Sequence, residues 1–210
     1  MIGGTNSKTT PRPIDRLQQL PWLIVALIAY YLPWVYHKTA ALTANAYDLA
    51  EWVSIYPTVR GGNPPLLDPF LLRGAMAGLA LLFALRAARG GWLRWLYIVL
   101  SLLLVITLLP PLDFFRNAGD DPNYRQQFII SLATLIGDAA IWWIYTQRRH
   151  WLPRLEIVVL LLTVIAAIVG EVLALDIERL LGLNVTIGGG VVVFVASLMV
   201  VLVGRAILVY

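Results

Sequence analysis

Six stretches of the chain are each close to the length a helix needs to cross lipid, and each is nearly free of charge: Leu17–Tyr36, Phe70–Arg86, Trp92–Leu109, Phe128–Tyr145, Leu155–Ala174 and Gly188–Arg205. Bilayer hydrocarbon is about 30 Å thick, so a spanning helix needs about 20 mostly apolar residues. Ile98–Leu109 and Ile157–Val169 are broken only by Ser101, Thr107 and Thr163. Spanning strands would alternate apolar and polar side chains, and these runs do not. The expected fold is an all-α membrane protein, a six-transmembrane-helix bundle forming one integral domain over residues 1–210.

Composition supports lipid as the solvent. Hydrophobic residues make up 60% of the 210 and charged residues 13%, where a soluble domain carries about a quarter charged. So few polar side chains cannot cover a water-facing surface. The net charge of +4 is the ordinary consequence of basic loops on the cytoplasmic side, and nucleic acid is not an expected partner. The chain has no cysteine, which excludes disulfides, thiolate catalysis and thiolate-held metals.

Loop charge sets the orientation. With the N-terminus inside, the cytoplasmic side holds Lys8, Arg12, Arg16, Arg86, Arg89, Arg94, Arg148, Arg149, Arg154 and Arg205 against two acids, Asp15 and Glu156. The outer side holds six cations (Lys38, Arg60, Arg73, Arg116, Arg125 and Arg179) and eight acids. Short loops obey the positive-inside rule most closely, and Arg86–Arg94 and Gln147–Arg154 carry three arginines each. Aromatic residues at headgroup level agree: Tyr30, Tyr31, Trp34 and Tyr36 for the outer belt, with Trp92, Trp95, Trp142, Trp143, Tyr145 and Trp151 for the inner one. Both termini are therefore expected in the cytoplasm, with the bacterial inner membrane as the setting. The first helix is expected to continue to Tyr36 with a kink at Pro33, whose ring removes a backbone donor.

The outer segment between the first two spans has helical periodicity. Leu42, Ala46, Leu49, Val53 and Tyr56 recur at steps of three and four, while His37, Asn45, Asp48 and Trp52 fall on another face. This predicts an amphipathic helix over residues 39–56, lying on the outer membrane surface or capping the bundle. Pro57 ends it, and Gly61-Gly62-Asn63-Pro64-Pro65 makes an irregular turn.

Asp138 and Glu171 fall inside predicted spans. A charge at bilayer depth costs about 2.5–3.5 kcal/mol on insertion scales, so such groups face the bundle interior. Ser131 and Thr134 share a side with Asp138; Thr163 and Ala167 share one with Glu171. Glu171 is expected to meet Arg73, at the outer end of the second span, or another cation. Either carboxylate can simply fix helix packing, or it can serve a pathway. At the outer face His37, Asn45, Asp48 and Glu51 are the polar candidates, but their spacing does not specify a metal site, and no metal or cofactor is expected. Small residues at Gly74 and Gly78, at Ala133 and Gly137, and at Ala166, Gly170 and Ala174 form notches through which helices approach closely. The triplet Gly188-Gly189-Gly190 reads as a flexible start to the last span.

No G-x-S-x-G, HExxH or Walker loop is present, so catalysis is not the leading expectation. Three functions remain. The leading one is a non-catalytic scaffold or accessory subunit, resting on short cytoplasmic loops, packing notches and few intramembrane polar groups, with other membrane subunits or further copies of itself as partners. The second is a small-solute or proton-coupled transporter using Asp138 and Glu171. The third is an enzyme on a lipid or lipid-linked substrate at the outer face. A cavity reaching Asp138 favours the second, a cleft beside Asp48 the third, and neither favours the scaffold.

Overall fold

The structure, a computed structural model, describes residues 19–37, 42–180 and 182–209. Lys8, Arg12, Asp15, Arg16, Lys38 and the first residues of both the Leu17–Tyr36 and 39–56 segments lie outside them. The chain is mostly helical. Its α-helices are α1 (Leu20–Tyr30), α2 (Ala46–Ser54), α3 (Pro57–Arg60), α4 (Leu67–Ala88), α5 (Arg94–Thr107), α6 (Pro122–Gln147), α7 (Leu152–Leu180) and α8 (Gly189–Val209). Three short strands, β1 (Val35–His37), β2 (Leu42–Ala44) and β3 (Val185–Ile187), form an antiparallel sheet in the order β2-β1-β3.

Among the described residues α4, α6 and α7 are long and apolar enough to cross a membrane, while α1, α5 and α8 present shorter apolar stretches. This is the make-up of a membrane-associated chain. These helices pack together as a bundle with two ends. One end holds the sheet, α2 and the Arg60–Asp121 contact. At the other, the end of α4, the start of α7 and the last turns of α8 meet through Glu156.

The first apolar helix stops earlier than its hydropathy suggests. Rather than kinking at Pro33, α1 ends at Tyr30 and the chain turns into β1. Proline lacks an amide and disfavours helix at the residue before it. The amides of Tyr31 and Leu32 close the last turn on the Ile28 and Ala29 carbonyls. The Trp34 indole N–H also donates to the Ala29 carbonyl, at 3.0 Å, so a buried side chain helps satisfy the frayed helix end.

Gly188 and Gly190 are needed for contact rather than flexibility. A Cβ on Gly188 would lie 2.3 Å from the Pro33 carbonyl oxygen, and one on Gly190 2.5 Å from the Trp34 ring. The start of α8 therefore sits directly against the α1–β1 turn, where the Gly190 amide donates to Pro33 at 2.8 Å.

The amphipathic segment is shorter than residues 39–56 and is interrupted by β2. Helix begins at Ala46, where Asn45 caps it by accepting from the Asp48 amide at 3.0 Å. The faces fall as the periodicity predicts: Ala46, Leu49, Ala50 and Val53 are buried and Asp48 is exposed. The buried face packs chiefly on α4, so α2 caps the bundle.

Helix α4 is the centre of the bundle, touching α2, α5, α6 and α7. The notches bring these helices together within the chain. A Cβ on Gly78 would meet Thr163 Oγ1 at 2.0 Å, one on Gly137 would meet Leu81 at 2.7 Å, and one on Gly170 would meet the Leu72 backbone at 3.1 Å. In lipid, close backbone approach and dispersion replace the hydrophobic drive between helices.

Candidate functional site

Polar groups gather at three levels of the bundle. At the sheet end, Arg73 of α4 is almost fully buried and donates to Glu51 Oε1 at 2.7 Å and to Gln126 Oε1 at 3.1 Å. Asn123 Nδ2 donates to Glu51 Oε2 at 3.3 Å, Gln127 donates to Oε1, and Gln126 Nε2 donates to the Leu66 carbonyl at 2.9 Å. This network ties α2 and α6 to α4. It corrects the expected Glu171–Arg73 pair: α2 lies over α4 and delivers Glu51 to the guanidinium. Glu171 does face the bundle and is buried, but among the described residues neither of its carboxylate oxygens has a hydrogen-bond partner.

Beside this network lies a cleft of about 310 Å³, lined by Val35 and His37 of β1, Thr43 and Ala44 of β2, Asp48 and Trp52 of α2, Glu178 of α7, and Leu183 and Val185. Its surface is mostly apolar, and it is partly open. Sheet formation brings His37 to the same wall as Asp48, two residues that sequence spacing alone could not join. Asn45 is not part of the lining; it donates to Asp48 Oδ2 at 2.7 Å and caps α2. Glu51 faces Arg73, so the four outer-face candidates divide into two in the cleft, one cap and one network member. Glu178 is 4% exposed, and its Oε2 has no partner. Burial, and then the Glu178 carboxylate, push the Tyr56 phenol up from its ordinary range.

At mid-bundle, Asp138 of α6 is buried, with Ser131 and Thr134 on the same inward face. Ser101 Oγ lies 2.7 Å from Asp138 Oδ2 and 3.0 Å from the Ala80 carbonyl. The Ser101 hydroxyl donates to Asp138 Oδ2, with the Ala80 carbonyl in reach of the same proton, and among the described residues Asp138 Oδ1 has no hydrogen-bond partner. A groove of about 250 Å³ between α5 and α6 reaches this group, lined also by Ile98, Leu135 and Trp142.

At the far end Glu156 is fully buried and takes three arginines. Arg86 and Arg89 each pair with it, and Arg205 Nε reaches Oε2 at 2.5 Å. The three come from the end of α4, the loop after it and the last turns of α8. Around them Arg94 stacks on Trp142 at 4.5 Å and Arg149 on Tyr145 at 5.3 Å. Trp92, Trp95, Trp143 and Trp151 are exposed at this end.

Glu156, Glu178 and the amides of Asn123, Gln126 and Gln127 were not singled out by the sequence. Glu178 had a signal: it lies seven residues, two helical turns, beyond Glu171 and so shares its face. Glu156 read as one of two acids on a basic side, with nothing to mark it as a hub. Among the described residues no three histidine or carboxylate side chains converge as a metal site.

Neither a protein-family model, nor a curated protein, nor a solved structure matches the chain.

Proposed function

We propose that the chain is a six-span protein of the bacterial inner membrane, with both termini cytoplasmic and the sheet end outside, and that its outer end binds a lipid or lipid-linked amphiphile. The single observation behind the binding reading is the cleft beside Asp48: apolar walls, partly open, with His37, Asp48 and Glu178 in the lining. Ligand sites are characteristically concave and apolar with a few convergent polar groups. The orientation rests on the arginines and tryptophans gathered around Glu156, the pattern of a cytoplasmic face.

The scaffold reading loses one of its supports, because the small-residue notches at Gly78, Gly137 and Gly170 are filled from within the chain. The groove at Asp138 keeps transport as a second reading. It shares no lining residue with the outer cleft, so transport would require the two to join.

Reporter fusions test the topology: one after Tyr210 should read cytoplasmic and one within Ala118–Pro122 outside, and finding both on one side would overturn it. Native mass spectrometry of the protein released from its membrane tests the binding. An amphiphile should remain bound, be lost in Leu183→Trp, which fills the cleft, and persist in Leu102→Trp, which fills the Asp138 groove. Equal retention in all three proteins would remove the cleft from consideration.

A further inference from the structure

We infer that the cleft selects an amphiphile whose head group is an ammonium cation, with Glu178 as its buried counter-charge and Trp52 as an aromatic wall; this rests on the cleft being a binding site. Glu178 is 4% exposed, lines the cleft and has a carboxylate oxygen that meets no hydrogen-bond partner among the described residues. A buried carboxylate oxygen without a donor is costly, and a cation with N–H or polarised C–H groups meets that need.

The charge around Glu178 points the same way. Asp48 is the other carboxylate in the lining, and among the described residues no Lys or Arg contributes to it. Glu171, two turns deeper on the same helix, is buried with both oxygens unpartnered. Arg179 contacts Asp176 at 3.7 Å and Arg60 pairs with Asp121 at 3.2 Å. Among the described residues of the lining, a phosphate or carboxylate head would meet two acids and neither Lys nor Arg. A neutral hydroxylated head can donate to Glu178 but leaves its charge uncompensated.

Aromatic rings complete the recognition. Trp52 is 47% exposed in the cleft wall, and Tyr56 stands edge-on to it with centroids 6.2 Å apart. An exposed indole beside a carboxylate is a favourable setting for an ammonium group, whose charge is attracted to the ring face. The apolar lining of Val35, Ala44, Leu183 and Val185 accommodates the first part of an alkyl chain.

The test offers the full chain, in neutral maltoside micelles, equimolar dodecyltrimethylammonium, dodecylglycerol and dodecyl phosphate, with adducts counted by native mass spectrometry. The wild type should favour the ammonium probe roughly tenfold over the neutral one, the scale of a desolvated cation–aromatic contact reinforced by a carboxylate. Glu178→Gln should bring the ratio to about one while still binding the neutral chain. Asp48→Asn, at an exposed position, should lower the ratio partway and gives the same readout should Glu178→Gln not fold. Equal binding of all three probes, or preference for the phosphate, would overturn the charge selectivity and leave the cleft reading standing. Absence of any adduct sensitive to Leu183→Trp would overturn the cleft reading itself.

Discussion

The central helix α4 carries arginines near both ends, and their surroundings differ. At the sheet end Arg73 is held by one carboxylate, Glu51, and one amide oxygen, while Glu171 and Glu178 nearby keep oxygens without partners. At the other end a single carboxylate, Glu156, takes Arg86, Arg89 and Arg205 and is fully buried. Acid exceeds what its arginine neutralises at one end, and arginine exceeds what its acid neutralises at the other. A group tied to several helices closes its end of the bundle, because moving any one helix strands a charge in low dielectric. A carboxylate without a partner beside a cleft marks the end left for something else to occupy. The Asp138 groove lies between them; Ser101 meets one oxygen of its acid, and among the described residues the other has no partner.

The largest effect should come from the closed end. Glu156→Gln leaves three arginines around a neutral amide and should destabilise the fold by about 3–5 kcal/mol, the scale of breaking a buried ion pair. Thermal unfolding in detergent measures it, with Asp120→Asn, at a fully exposed pair with Arg125, as control. A midpoint shift no greater than the control's would break the contrast between the ends. Glu51→Gln should cost less, about 1 kcal/mol, since Glu51 is 35% exposed and screened by solvent. A loss as large as that of Glu156→Gln would make the two ends equivalent. Asp138→Asn should be smallest, within about 0.5 kcal/mol, because the amide oxygen keeps the shape of the group and can still accept from Ser101. A large loss of stability there would mean that the group carries charge in the folded protein, sharpening the transport reading at the expense of the cleft.

Much of the architecture was legible in local pattern. The apolar runs became helices, the inward faces of Asp138 and Glu171 are buried, and the buried stripe of α2 follows the three- and four-residue spacing. The extent of the first apolar helix was not legible from hydropathy, because Leu32-Pro33-Trp34 remains apolar after its backbone has left the helix. The sheet was hidden for a related reason. Each strand is three residues long, and β1 gains its partners from segments 7 and some 150 residues away, so no single stretch carries the alternation.

The sequence by itself determined which segments avoid water and which side of each helix turns inward, because both depend on side chains a few residues apart on one helix. Tertiary structure decided which charged groups meet. Arg73 could reach acids on two helices, and it meets Glu51 because the Gly170 notch and the cap formed by α2 fix how α4 lies against its neighbours. Glu156 became a hub only when three separate chain segments ended beside it. Pairing of charges across a bundle depends on distances between helices, and those are set by packing along their whole length, which no local stretch of residues encodes.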